Sequence, residues 1–295
     1  MTPLHLVPLD PRYPSRLRSL ARPPSSLSVQ GGPLDADRVV AVVGSRLAHP
    51  EAAGFASTLA AGLVRAGAVV ASGGALGIDA AAHRGALDAG GRTWVVAGTG
   101  CEHCFPPEHA SLFDRVARGP GAMLWPFSPS SEARPGSFVA RNRVLCAMAD
   151  AVVVVQAGLP SGALNAAAAA RRLARPLWVV PPPPWLGAAF DGSRRLLDEG
   201  ALPLHSASAL LSSLGLRSSG PSAAPRPPSR PFTPDETAVL AALSPTSAST
   251  ALHLDEIASR AQSPAPAVTG ALLTLALEDV VVEGPPGFFR LQIRP

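Results

Sequence analysis

Arg46 closes the segment VVGSR, directly after Gly44 and Ser45. Three further apolar runs end in similar small residues: ASGG (Ser72, Gly73, Gly74), AGTG (Gly98, Thr99, Gly100) and QAGLPSG (Gly158, Ser161, Gly162). Glycine lets backbone N–H groups come close to an anion, and hydroxyls add donors. An arginine fork supplies two parallel charge-assisted hydrogen bonds, and a helix starting after such a turn adds a favourable dipole. Gly77 opens the helical pattern GIDAAAH and belongs to the same set. One such loop marks only a tight strand-to-helix turn. Four of them, with Arg46 behind the first, point to phosphate. The dinucleotide fingerprint G-x-G-x-x-G is absent after the first run, where GSRLAH stands, and a chain without lysine has no ordinary Walker loop. Neither NAD nor ATP is therefore expected, and no cofactor is called for.

Other reactive residues carry less. Cys101 and Cys104 form CEHC, with His103 and His109 close by. A structural zinc needs four ligands and no second C-x-x-C exists, while a thioredoxin-type motif should open a helix rather than precede Phe-Pro-Pro. No metal is expected. Asp79 and His83, four residues apart, share a helical face, as an acid–base pair would. The favoured reading is that they brace the start of the helix, where a carboxylate suits the dipole. Arg141, Asn142 and Arg143 form an RNR run. Successive helical residues turn by about 100°, so its two arginines cannot share one direction and have different tasks.

These residues need a scaffold. RVVAVVG, from Arg38, is a short apolar run suited to a strand buried on both faces. A helical pattern follows over 51–66, then AVVASGG, a helix over about 77–89, TWVVAGTG, AMLW, AVVVVQAG and PLWVVPP. ARNRVLCAMA and GALNAAAAARRLA read as helices among them. Strands alternating with helices predict a parallel sheet covered on both faces over residues 38–215. Residues 1–37 are rich in proline and arginine, have no sustained period, and read as an extended arm lying on that domain. Residues 216–232, dominated by proline, serine and glycine, read as a flexible linker. Residues 233–295 read as a winged helix. Thr233 caps a first helix with Glu236 three residues on, two helices follow, and VVVEGPPGFFRLQ makes two strands around a Pro-Gly turn.

Composition narrows the classes. The chain has 295 residues, 47% of them hydrophobic, enough for a large core and a small second one. Three cysteines do not make a disulfide scaffold. No apolar run approaches bilayer length and no signal peptide is seen, so the chain reads as soluble and cytoplasmic, with no membrane partner. All 25 basic residues are arginine. Residues 233–295 carry three arginines against seven acids, a net of −4, and the remainder has a net of +8. The basic surface belongs to the α/β part, as a binder that tracks phosphates requires.

VAVVGSR, SGGALGIDAAAHRGAL, GTG…FPPEH, GSFVARNRVLCAMADAVVVVQAGLPSGAL and DGSRRLLDEGA, in that order, resemble the bacterial DNA-processing protein A family (DprA, also called Smf) over about residues 39–214. Many members also carry a winged-helix tail. The resemblance implies an extended Rossmann-like, doubly wound α/β fold that dimerises, and sequence-tolerant binding of single-stranded DNA. It also implies loading of the RecA recombinase in natural transformation, without an established catalytic activity. It places Gly44, Ser45, Arg46, Ser72, Gly73 and Gly74 in a phosphate pocket, with Arg141 and Arg143 beside it. This chain departs from the common pattern at Leu76, Trp125, Pro126 and Gln156.

The second helix of the winged-helix pattern, PAPAVTGALLTLALED, has no Arg, Lys, Asn or Gln with which to read bases or hold phosphates, so that unit reads as a protein-contact module. The alternative function is a nucleotide-hydrolysing enzyme of the lysine-decarboxylase-like Rossmann group. That group's P-G-G-x-G-T loop works with a nearby glutamate, and QAGLPSGALN supplies none.

Overall fold

Val39, Ala41 and Val43 pack on one side of the sheet and Val40 and Val42 on the other, all buried, which is why this run is apolar without alternation. The computed structural model describes residues 2–182, 187–204, 207–216, 232–244, 251–278, 280–283 and 287–291. The chain divides into two units, 1–219 and 220–295.

In the first unit the elements are β1 (Leu4–Leu6), α1 (Ser15–Arg18), β2 (Leu27–Gly31), β3 (Val39–Gly44), α2 (Pro50–Arg65), β4 (Val69–Ser72), α3 (Ile78–Asp88) and β5 (Thr93–Val96). They continue with α4 (Ala110–Arg118), β6 (Ala122–Trp125), α5 (Pro135–Met148), β7 (Ala151–Gln156), α6 (Gly162–Arg172), β8 (Leu177–Val179), α7 (Asp191–Asp198), β9 (Leu202–Pro203) and α8 (Ala207–Ser213). The nine-stranded sheet runs β1-β2-β6-β5-β4-β3-β7-β8-β9. Every pair from β6 to β9 is parallel. Residues of α1, α5, α6 and α7 pack on one face, and residues of α2, α3, α4 and α8 on the other. This is the doubly wound arrangement expected, with its strand order reversing around β3.

The N-terminal segment departs from the extended arm expected of it. β2 pairs antiparallel with β6, Ser28 opposite Trp125, and β1 pairs antiparallel with β2. Tyr13, Leu17 and Leu27 are buried in the main core. Burying Leu17 and Leu27 contributes roughly 1.5–3 kcal/mol each, which is why a proline-rich segment without a period is nonetheless fixed. Arg16 adds an ion pair to Asp150 at 2.7 Å, and that carboxylate also accepts the Val39 N–H.

The second unit contains α9 (Pro234–Leu243), β10 (Leu252–His253), α10 (Leu254–Ala261), α11 (Ala265–Leu277), β11 (Val281–Glu283) and β12 (Phe288–Leu291). Its three strands lie in the order β10-β12-β11, and Val239, Ile257, Val268, Leu272, Leu275 and Val281 form its core. The expected capping box is present. The Thr233 hydroxyl accepts the Glu236 N–H at 3.2 Å, and the Glu236 carboxylate accepts the Thr233 N–H at 2.8 Å. Most of the linker expected over 216–232, and the turn at 284–286, lie outside the described residues.

Candidate nucleic-acid interface

The parallel strands deliver their C-terminal ends to one edge of the sheet. There the turns after β3, β4 and β5 meet the first half of α5 around a cleft enclosing about 350 Å³ of space open to solvent. Arg46, Gly73, Gly74, Ala75, Leu76, Phe105, Pro106, Phe138 and Arg141 line it. Phe138 and Arg141 are three positions apart on α5 and therefore share a face. The exposed Arg46 lays its guanidinium over the Phe138 ring, 5.2 Å from its centre, and Phe105 lies 5.5 Å from the same ring. Leu76 and Phe105 add exposed apolar side chains to the cleft lining.

Arg141 forms the floor and is 5% exposed. Its guanidinium lies against Gly73 so closely that a Cβ there would collide with it. One nitrogen, Nη1, donates to the Val96 carbonyl at 2.8 Å, and Nε has no partner among the described residues. Asp79 lies beneath the loop, 5% exposed, with Oδ2 accepting the N–H of Gly73 at 3.0 Å and of Ala75 at 3.3 Å. Burial raises the pKa of Asp79, opposed by the Arg141 charge and by the bonds from the Ala75 and Gly73 N–H groups. Burial likewise lowers that of Arg141, opposed by Asp79. His109, also buried, donates from Nδ1 to the Gly74 carbonyl at 2.9 Å and anchors the other side of the loop.

The residues singled out in the sequence thus separate. Arg46, Gly73, Gly74 and Arg141 come together at the cleft. Gly44, Ser45, Ser72 and Gly77 stand behind it as supports. A Cβ on Gly44 would meet Ile78 at 2.5 Å, and one on Gly77 would strike the Ser45 carbonyl. Gly77 also has φ +76°, a conformation that glycine adopts without strain. The Ser45 hydroxyl is engaged with Leu47, and the Ser72 hydroxyl donates to Val42 O at 2.6 Å.

The RNR run divides as its helical turn requires: Arg141 is buried, while Arg143 is exposed and donates to the Arg22 carbonyl at 2.7 Å. Asn142 reaches the Gly162 carbonyl at 3.4 Å, and Ser161 caps α6 by accepting the Ala163 N–H at 3.2 Å. Neither Asn142, Arg143, Ser161 nor Gly162 is among the residues lining the cleft.

The Asp79–His83 relation is structural. Thr93 donates its hydroxyl to Val70 O at 2.8 Å, so its oxygen accepts from His83 Nδ1 at 2.7 Å and leaves Nε2 unprotonated. His83 therefore faces Thr93, while Asp79 faces the loop. In CEHC, His103 bonds the Ser130 carbonyl at 3.1 Å and His109 the Gly74 carbonyl, so the two imidazoles do not converge. Sequence reasoning passed over Phe105, Phe138 and the inward role of Asp79. The three-residue spacing of Phe138 and Arg141 was the available signal for the first aromatic contact.

The profile of DNA recombination-mediator protein A matches residues 5–215, and that of the DprA winged helix domain matches residues 222–287. The chain belongs to the DprA family. A Mycobacterium tuberculosis DprA relative is 43% identical over 166 residues, 56% of this chain and 42% of its own. The chain thus spans less than half the length of that relative. Among solved DprA structures, that of Streptococcus pneumoniae superposes with a TM-score of 0.66 at 31% identity, covering 71% of this chain and 73% of that one. DprA of Helicobacter pylori, whose structure is described as showing its single-stranded DNA binding mode, gives 0.63 at 30% identity, covering 68% and 92%. The DprA winged helix in this chain presents an α11 whose two threonine hydroxyls, Thr269 and Thr274, bond back to carbonyls four residues earlier. The described part of α11 offers no charged or amide side chain.

Proposed function

We propose that this DprA-family chain binds single-stranded DNA without sequence preference at the cleft. By extension from its family it would protect incoming strands and load the RecA recombinase during natural transformation, as a homodimer and without catalysing a reaction. One observation carries the reading: a guanidinium stacked on an aromatic ring at the mouth, above a second guanidinium at the floor. Single strands are held by cations that follow the backbone and by ring faces on which any base can stack, at about 1–3 kcal/mol per base. The basic balance of the α/β unit favours the same ligand. At the end of β7, Gln156 is buried and accepts the His49 N–H at 2.8 Å, so that position holds no carboxylate for the alternative nucleotide hydrolysis.

The test is fluorescence anisotropy with an unstructured oligonucleotide and a blunt duplex over a salt series. Tighter binding of the single strand and a log-linear loss of affinity with salt are expected. Equal affinity for both forms, or indifference to salt, overturns the reading. Release of free base from a nucleoside monophosphate would establish the alternative. RecA loading is checked by recombinase ATP hydrolysis on single strands already covered by a single-strand-binding protein, which the chain should accelerate.

A further inference from the structure

The loop after β4 is built like an anion cradle, yet its amides do not face the cleft. The N–H groups of Gly73 and Ala75 converge on Asp79 Oδ2, at 3.0 and 3.3 Å, from a carboxylate in the first turn of α3. Three features hold this arrangement. Gly74, at φ +71°, turns the loop, His109 fixes the Gly74 carbonyl, and the Arg141 guanidinium covers Gly73. Arg141 is more than nine-tenths buried, lines the cleft and keeps Nε without a partner among the described residues. Two amides converging at a glycine turn, with a buried guanidinium packed against that turn, are components of a phosphate site. The point of convergence is occupied by the protein's own carboxylate.

We propose that Asp79 is an internal substitute for phosphate. It fills the anion position of the glycine loop and, without pairing directly with Arg141, offsets part of that buried charge. It thereby denies the loop to free phosphate and mononucleotides. Specificity for a polymer follows, because a ligand excluded from the loop amides must gather its affinity from repeated contacts with Arg46, the aromatic rings and the exposed edge of Arg141. The polymer part of this inference rests on the reading of the cleft as a DNA site; the occupancy of the anion position does not.

The experiment compares wild type with Asp79→Ala and Asp79→Asn in inorganic phosphate against chloride at matched ionic strength. Thermal unfolding comes first. Asp79→Ala should melt lower than wild type and recover progressively with phosphate, gaining more relative to chloride than wild type gains from the general stabilising effect of phosphate. Displacement of a labelled single strand comes second. Both variants should be displaced by phosphate at concentrations about tenfold lower than wild type, the lower end of what one charge-assisted hydrogen bond is worth. Should Asp79→Ala not fold, Asp79→Asn decides, since its neutral amide oxygen holds the two N–H groups more weakly than a carboxylate does and phosphate can compete for them. Equal phosphate sensitivity of wild type and the folded variants overturns the proposal. Phosphate recovery of Asp79→Ala in a protein that binds no single strand would sustain the internal substitution and defeat the DNA reading instead.

Discussion

Arg46 and His83 show how differently two polar side chains on one scaffold are used. Arg46 is exposed and held in place by Phe138 rather than by an acid, so its charge remains available. Arg46→Ala should leave the fold intact and weaken single-strand binding by about 1.5–3 kcal/mol, the worth of a charge-assisted pair. Unchanged affinity in a folded variant, measured by anisotropy, would place the DNA elsewhere. His83 is the opposite case. Burial pushes its pKa down to about 3, with the charges of His109 and Arg141 adding to the effect. In the unfolded chain it titrates near 6.5, so below that value the unfolded state binds a proton that the folded state refuses. The stability this neutral imidazole permits is complete above about pH 6.5 and is lost as pH falls towards about 3, by up to about 1.4 kcal/mol per pH unit. In His83→Gln, whose amide can still donate to Thr93, the loss between about pH 7 and about pH 5 should be smaller. Urea unfolding at both values checks it, and equal losses in the two proteins would assign the acid sensitivity to other groups.

Among the elements, α11 occupies the position from which a winged helix reads a groove, but its described hydroxyls are tied to its own backbone and its other side chains are apolar. A truncation ending at Gly215 should therefore retain most single-strand affinity at the same salt. A loss near a hundredfold, about 2.7 kcal/mol, would move the site to the winged helix. Legibility also varied by element. The buried parallel strands and the Thr233–Glu236 box were plain in the sequence, because an apolar run between glycines and a hydroxyl three residues before a glutamate have few other meanings. The strands Leu4–Leu6, Leu202–Pro203 and Leu252–His253 were not, since two or three residues are too few to show a period. At the cleft, glycine identities announced the turns but not the direction of their amides. Gly73 looks the same whether its N–H faces a ligand or, as here, Asp79.

For the whole molecule, the separation of charge between the two units leaves the positive balance on the α/β unit, while the pairing of β2 with β6 makes residues 1–37 part of that unit's integrity. Deleting 1–37 should bare the edge of β6 together with the surface covered by Leu17 and Leu27, and such an edge is a template for pairing with other chains. Concentration-dependent light scattering above that of the intact protein is the expected result; a monodisperse, equally stable truncation would contradict it.

The same pairing has a consequence for the order in which the protein is made. Ser28 leaves the ribosome nearly a hundred residues ahead of its partner Trp125, a delay on the order of ten seconds at roughly 5–20 residues per second. During that interval Leu27 and Val29 have no β6 to pair with, and the parallel strands β3, β4 and β5 emerge before the strand that closes their edge. The residues of β2, translated well ahead of their partner strand, are thus among the later ones to find their native neighbours.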